Sequence, residues 1–361
     1  MLTCKNFEGS MDRKMVTIKD MAEILGISTT TVSNVIHGKT NQVSQKTVER
    51  VQKLLEEYEY VPNISARNLA NNSSGIIGMA IKGRKDRIDN LIANSFFGNL
   101  VSAIEAEIRS RGYFMMLYIS DDINEIMRYV STWNVDGLIL LGMLHDDFAR
   151  IKSRYKKPAV LIDSYAPRNV ADYVNVGLDD EKACYDMTMY LIENGHRKIA
   201  FLADNMEGVD YQRYMGFLKA MKDSGLETGE DNLIMIHPGI LERESNMREI
   251  YKKSRNYTAF MCCSDYYAVM IMSDFMDRGM KIPEELSFTG FDDDFTAKLV
   301  RPKLTTIRQD IREKGRIAVD CLEKLIRGEK PENKNYCLPV ELVFRDSVKK
   351  LQSDTDKQDL S

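Results

Sequence analysis

The chain has no apolar run near the roughly 18 residues needed to cross a bilayer. Its opening, M-L-T-C-K-N-F-E-G-S, has no apolar core followed by a cleavage signal. These absences argue against a membrane protein and a secreted one, and the expectation is a cytoplasmic protein. Cysteine is poorly placed for cross-linking. Cys4, Cys184, Cys262, Cys263, Cys321 and Cys337 include no C-x-x-C pair, and Cys262 and Cys263 adjoin within an apolar run. A disulfide framework or a zinc site does not fit that spacing, so reduced, buried thiols are expected. The four histidines (His37, His145, His196 and His237) are scattered, with no H-E-x-x-H. No G-x-G-x-x-G follows the first strand-like run and there is no G-x-x-x-x-G-K-[ST], which removes the usual nucleotide cradles. No nucleophile–base pair stands out. The chain therefore does not read as an enzyme, and neither metal nor cofactor is expected. His196, in G-H-R-K-I before a strand, suits a structural hydrogen bond. The run Asp292-Asp293-Asp294 is not expected to converge on a metal.

At 361 residues, 43% hydrophobic and 29% charged, the chain is long enough for two or three ordinary domains. The net charge of −4 is unevenly spread. From Arg13 to Lys53 there are seven basic and three acidic side chains, leaving +4 there and −8 elsewhere. A positive segment on an acidic body suits one nucleic-acid face, although most charge runs are only solvated surface.

Residues 1–14 are polar and aperiodic and read as a disordered tail. Helical periodicity begins at Thr17, where Thr17-Ile-Lys-Asp20 is a partial capping box with Asp in place of Glu or Gln. Ile18, Met21, Ala22 and Leu25 make one apolar face, and Gly26 stops the helix. Ser28 caps a second helix with Val32, Val35 and Ile36 inside, ending at Gly38. A third helix starts at Ser44 and is expected to bury Val48, Val51, Leu54, Leu55 and Tyr58. Two short helices about a tight turn form a helix-turn-helix. The second helix turns Thr29, Thr30, Ser33 and Asn34 outward, and side chains of this kind can reach base edges. A plain polar solvent face fits those four residues equally well.

Three segments carry a family resemblance: V-T-I-K-D-M-A-E-I-L-G-I-S-T-T-T-V-S-N-V-I-H-G, then V-S-Q-K-T-V-E-R-V, then Y-V-P-N-I-S-A-R-N-L-A. In order and spacing they resemble the headpiece and hinge of the LacI/GalR repressors. The resemblance implies a DNA interface of Thr17, Ser28, Thr29, Thr30, Ser33, Asn34, Lys39 and Ser44, with the hinge adding Asn63, Ala66 and Leu69. It implies that the hinge helix after Pro62 folds on DNA and that Leu69 wedges into the minor groove at a central pyrimidine–purine step, which unstacks cheaply. Two departures stand out. Asn34 lies where many members carry Arg or His, and the turn from Gly38 to Gln42 is about one residue longer than usual.

From Gly75 on, short apolar runs alternate with amphipathic stretches. The runs are 75–81, 114–119, 137–141, 159–162, 198–203, 233–236, 259–263 and 286–291, and the stretches between include 100–111, 183–194 and 214–224. Buried strands alternating with helices indicate parallel sheets, and about a dozen strands call for two Rossmann-like lobes. V-G-L-D-D, L-I-E-N-G-H-R-K-I-A-F-L, G-M-K-I-P-E-E-L-S-F-T-G-F-D-D and P-K-L-T-T-I-R-Q-D extend the resemblance to about residue 346. The implied fold class is an all-α three-helix helix-turn-helix headpiece plus an α/β two-lobed effector domain like periplasmic sugar-binding proteins. The expected boundaries are 1–14 tail, 15–62 headpiece, 63–74 hinge helix and linker, 75–348 effector and dimerisation domain, and 349–361 polar tail. Within 75–348 the first lobe takes about 75–174 plus 305–336, and the second about 175–304 plus 337–348.

Ligands bind at strand ends in open α/β sheets. The candidates there are Arg213, Asp163 and Asp292, which suit the paired hydroxyls of a sugar. Phe96 and Phe97 could stack on a sugar or a base, and Ser264 completes the set. Other readings stand beside these: Arg213 pairing with a helix acid, Asp292 capping the next segment, the Phe pair as core. Ser264-Asp265 replaces the family's usual Asn-Asp, and Cys184 replaces a glycine. The expected function is an allosteric transcription regulator, a repressor by family habit. Its partners are a pseudo-palindromic double-stranded DNA operator, a small carbohydrate-like effector and a second copy of the chain. The tail lacks tetramerising heptads. A sugar-binding protein without DNA-dependent regulation is the alternative.

Overall fold

The computed structural model describes residues 16–36, 38–60, 73–84, 88–165, 173–237 and 239–351. The chain forms two compact units, residues 1–72 and 73–361.

In the first unit, α1 (Ile18–Leu25), α2 (Thr29–Ile36) and α3 (Gln45–Glu57) enclose a small core of Met21, Ala22, Val32, Val35, Val48, Val51 and Leu54. The Thr17–Asp20 box closes despite the shorter acid. The Thr17 hydroxyl accepts from the Asp20 amide at 3.3 Å, and the Asp20 carboxylate accepts from the Thr17 amide at 2.8 Å. Gly26 ends α1 at φ 64°, where a Cβ would be strained. Arg50 on α3 donates to the Leu25 carbonyl at 3.0 Å, tying the third helix to the first. Tyr58 corrects the sequence reading. It caps α3 and is 44% exposed, while the half-buried Tyr60 packs on the core instead.

The second unit holds two parallel sheets. In order across it, the first comprises β11 (Asn335–Leu338), β5 (Val174–Leu178), β4 (Ala159–Ile162), β3 (Gly137–Leu141), β1 (Ile76–Lys82) and β2 (Phe114–Ser120). The second comprises β7 (Leu233–Met235), β6 (Ile199–Ala203), β8 (Ala259–Cys262) and β9 (Ser287–Thr289). Strands β3, β4, β5, β6 and β8 are buried along their whole length, as sheets covered on both faces require. Helix α4 (Ser95–Ser110) packs on the first lobe beside α12 (Ile311–Ile326), while α7 (Asp180–Glu193) and α8 (Gly208–Asp223) pair on the second. Gly216 permits that pairing, since a Cβ there would lie 1.9 Å from the Glu181 carbonyl oxygen.

The structure moves three expected boundaries. Strand β5, cut at 174/175 by the sequence reading, lies wholly in the first sheet between β4 and β11. Residues 337–338 belong to that sheet as well. Strand β10 (Thr306–Gln309) pairs with β12 (Val340–Val343) and is bridged to Thr289 and Asp292. Residues 305–309 therefore side with the second lobe, and the chain crosses back only at Asp310. Strand partners are chosen across the sheet, so a linear reading cannot place these cuts. The tail also starts later than expected. The Lys349 amide donates to Ser287 Oγ at 3.0 Å and the Leu351 amide to the Asn194 carbonyl at 2.8 Å. His196 is buried, with Nδ1 2.9 Å from Thr258 Oγ1 and Nε2 3.0 Å from the Lys349 carbonyl, a structural clasp. Cys184, Cys262, Cys263 and Cys321 are buried free thiols, but Cys337 is exposed, against expectation.

Candidate functional site

On the headpiece, Thr29 and Thr30 are exposed at the start of α2, and Ser33 and Asn34 are half-buried one turn on. Their backbone is held by the inward Val32 and Val35. Lys39 is exposed in the turn that follows, which forms a 3₁₀ turn over Thr40–Gln42. Thr17, Ser28 and Ser44 all cap helices. Ser28 Oγ accepts from the Thr31 amide at 3.0 Å and Ser44 Oγ from the Thr47 amide at 3.3 Å. Each hydroxyl also meets a side chain at 2.8 Å: Thr17 donates its proton to Asp20, while Ser28 and Ser44 each share one hydrogen bond with the hydroxyls of Thr31 and Thr47. Asn63, Ala66 and Leu69 lie outside the described residues.

In the second unit, the ends of the two sheets bring buried and half-buried charged groups together. Asp163 follows β4 at φ 50° and Asp292 follows β9 at φ 115°. Strained backbone of this kind costs about 1–3 kcal/mol per residue and gathers at functional sites. Both Asp163 oxygens accept from Lys314 Nζ, at 2.7 and 2.8 Å, and the same ammonium donates to Gln309 Oε1 at 2.6 Å. Gln309 Nε2 in turn donates to Asp292 Oδ1 at 2.6 Å. A chain of bonds thus runs from one strained carboxylate to the other. Arg213, on α8, donates from Nε to Asp180 at 2.7 Å and from a terminal nitrogen to the Cys263 carbonyl at 2.6 Å, with its guanidinium 3.5 Å above the Phe291 ring. The Tyr165 hydroxyl closes on Asp180 from the first lobe.

Burial pushes the Asp163 carboxyl upward, while the adjacent Lys314 charge pulls it back and Asp180 adds to the rise. Burial likewise lifts Asp292 to about 7, with Arg213 and Gln309 opposing. Burial raises the Cys184 thiol far above its usual value, so it is inert packing beside Arg213.

Of the candidates, Arg213, Asp163 and Asp292 meet in this cluster. Phe96 and Phe97 are half-buried, edge to face at 5.4 Å, and packed against the core, with Lys314 Nζ 5.7 Å from the Phe96 ring. Ser264 occupies the cap position of α10 (Asp265–Asp277), but its side chain makes no cap bond. The three consecutive acids diverge. Asp292 takes Gln309, Asp293 takes Arg308 and Arg345, and Asp294 caps α11 (Phe295–Leu299) through the amides of Thr296 and Ala297. The capping role weighed for Asp292 therefore belongs to Asp294, whereas the helix acid weighed for Arg213 is real and is Asp180. Sequence reasoning missed Asp180, Tyr165, Gln309 and Lys314. Lys314 carried a signal, because it interrupts the apolar face of α12 formed by Ile311, Ala318 and Leu322.

Among the described residues no helix is long and apolar enough to cross a membrane. Residues 17–63 match the bacterial regulatory proteins of the lacI family, and residues 188–348 match a periplasmic binding protein-like domain. The chain is 32% identical over 348 residues to the HTH-type transcriptional repressor PurR of Vibrio campbellii, covering 93% of this chain and 100% of that one. It is 30% identical over 345 residues to the HTH-type transcriptional regulator MalR of Clostridium butyricum, covering 92% and 99%. Among solved structures, a lac repressor dimer bound to operator and the anti-inducer ONPF superimposes with a TM-score of 0.81 at 25% identity, covering 93% of this chain and 100% of that one. A complex of the transcriptional regulator CelR with cellobiose gives 0.68 at 25% identity, covering 92% and 99%. With a helix-turn-helix unit, a two-lobed α/β unit and near end-to-end likeness to regulators of this build, the chain belongs to the lacI family of bacterial regulatory proteins and is a DNA-binding transcription regulator rather than an enzyme.

Proposed function

We propose that the protein is a homodimeric repressor, acting in the cytoplasm, whose affinity for a pseudo-palindromic operator is set by a small effector of carbohydrate type. The observation that carries this is the meeting of the buried Arg213 with the half-buried Asp292 and Asp163 at the ends of both sheets. Arg213 keeps donors beyond the two it spends, and Asp292 keeps an oxygen beyond the one Gln309 fills. A donor and an acceptor side by side suit vicinal hydroxyls. Phe96 and Phe97 supply an apolar face, and Ser264 a short hydroxyl at the edge. The cellobiose bound by CelR supports a sugar, and the PurR likeness keeps other small polar molecules in the test. On DNA, Thr29, Thr30, Ser33 and Asn34 read the major groove of each half-site. Thr17, Ser28, Lys39 and Ser44 complete the DNA interface, and the hinge residues Asn63, Ala66 and Leu69 engage the centre. Effector binding changes operator affinity by a coupling of about 1–3 kcal/mol.

The test is selection of the purified full chain against random duplexes, with and without a panel of sugars and nucleosides. Enrichment of a palindrome, changed by one compound, is expected. Asn34→Ala should relax one base position of that palindrome, and Arg213→Ala should abolish the compound's effect while sparing operator binding. No enrichment under any condition would leave only a ligand-binding role.

A further inference from the structure

Where the second unit begins, three consecutive residues converge on one carboxylate. Asp136 accepts from Ser73 Oγ at 2.5 Å, from the Ser74 amide at 2.9 Å and from the Gly75 amide at 2.8 Å. Its side chain is only 8% exposed. The carboxylate stands on a braced turn. Lys157 Nζ donates to the carbonyls of Asn134 and Val135, both at 3.0 Å, and lies 3.8 Å from Asp136 itself. The Tyr155 hydroxyl donates to the Val135 carbonyl at 3.2 Å. The Asp136 amide donates to the Ile76 carbonyl at 2.8 Å, and the Phe114 amide to the Gly75 carbonyl at 2.9 Å. Burial works to raise this carboxyl, but the three donated bonds and Lys157 outweigh it, and it sits below the usual carboxylate range. Three charge-assisted bonds to one anion hold the backbone of residues 73–75 in one direction as it enters the strand.

That strand is β1, which runs about 20 Å at roughly 3.3 Å per residue to the opposite edge of the sheet. Just past its far end, Arg84 donates to the Asp204 carbonyl at the end of β6 in the second lobe, at 3.0 Å. Lys82 pairs there with Asp147 at 2.6 Å. β1 is hydrogen-bonded along its length to β3 on one side and to β2 on the other, which ties it to its sheet.

We infer that Asp136 is a positioning residue for operator binding, holding the chain that joins the two units in a set orientation on the first lobe. If the chain grips an operator and responds to an effector, as proposed, β1 spans from the interlobe edge to this anchor. Any turn of the first sheet then carries residues 73–75 with it. A loose linker would leave both halves of the molecule folded but would lose the registration of two headpieces on two half-sites.

The experiment uses the full-length protein and its Asp136→Ala, Asp136→Asn and Ser73→Ala variants. Hydrogen exchange is followed in peptides covering 73–75 and in β1, together with affinity for a duplex taken from the selection and for a random duplex. In Asp136→Ala the amides of Ser74 and Gly75 should exchange at least tenfold faster while Ile77–Ile81 stay protected. Affinity for the selected duplex should fall tenfold or more with random-duplex binding unchanged. Asp136→Asn, which keeps one acceptor oxygen, should fall between. Ser73→Ala leaves both amide bonds in place and should give a smaller loss of the same kind. It decides the matter if Asp136→Ala fails to fold. Unchanged exchange at 74–75, or equal loss on both duplexes, overturns the proposal. If the wild-type chain selects no duplex at all, the operator reading fails, and the exchange data alone still decide whether Asp136 is the anchor.

Discussion

Replacing Lys314 with Met tests whether the cleft is held by charge or by shape. The Lys314 side chain is fully buried and spends its three donors on two Asp163 oxygens and on Gln309. Met fills most of the same volume but leaves Asp163, itself 9% exposed, without a cation. Breaking a buried pair from one side costs about 3–5 kcal/mol, because a desolvated charge is left alone. The carboxyl has one escape, which is to hold a proton. Its pKa is already raised by burial and restrained by Lys314, so without the lysine it climbs further. The folded variant then keeps a proton that the unfolded chain, titrating near 3.9, has released. Its stability should therefore fall by about 1.4 kcal/mol per pH unit as pH rises from about 4 to the raised pKa. The loss relative to wild type should be small at pH 5 and largest at pH 8. Asp163→Asn removes the charge and tolerates the positive φ, so the double variant Asp163→Asn/Lys314→Met should recover most of the loss, with a coupling of about 2 kcal/mol or more. Urea unfolding followed by circular dichroism at both pH values reads all three variants. A Lys314→Met chain within about 0.5 kcal/mol of wild type at pH 8, or strictly additive losses, would refute the reasoning, since surface-like substitutions fall in that range.

Other tests address neighbouring features. Asp292 titrates at about 7 when folded, so its contribution to stability is present below about 4 and is lost as pH rises through 7, at roughly 1.4 kcal/mol per unit. Asp292→Asn should flatten that part of the stability–pH curve, and an unchanged slope would place the proton elsewhere. Gly216→Ala puts a Cβ 1.9 Å from the Glu181 carbonyl oxygen and should cost about 1–3 kcal/mol by forcing α7 and α8 apart. An unshifted thermal midpoint would mean the two helices are free to separate. Replacing Thr17 by Ala removes the capping hydroxyl of α1 and should cost about 1 kcal/mol in headpiece unfolding, against no change if the cap were idle.

Much of this protein is legible in its residues alone, because the signals are local. Thr17, Gly26, Ser28 and Ser44 mark helix ends through bonds made within four residues, and each acts where its sequence position indicates. The apolar runs became strands because parallel strands buried on both faces need no alternation. The strand ends Asp163 and Asp292 could be named because ligand-type residues follow apolar runs in open sheets. Tertiary structure decided the rest. Strand order took β5 whole into the first sheet and sent 305–309 to the second lobe, since pairing partners come from distant chain. It separated the three acids at 292–294 into a carboxylate bonded to Gln309, an arginine clasp and a helix cap. It also brought Lys314 to Asp163 across 151 positions of sequence. A buried lysine is tolerable only beside its counter-charge, and no local pattern can say which of many aspartates will be there. The sequence alone determined that this is a regulator of two units, but only the folded chain determined which charges face one another between the sheets and which carboxylate Ser73, Ser74 and Gly75 converge on.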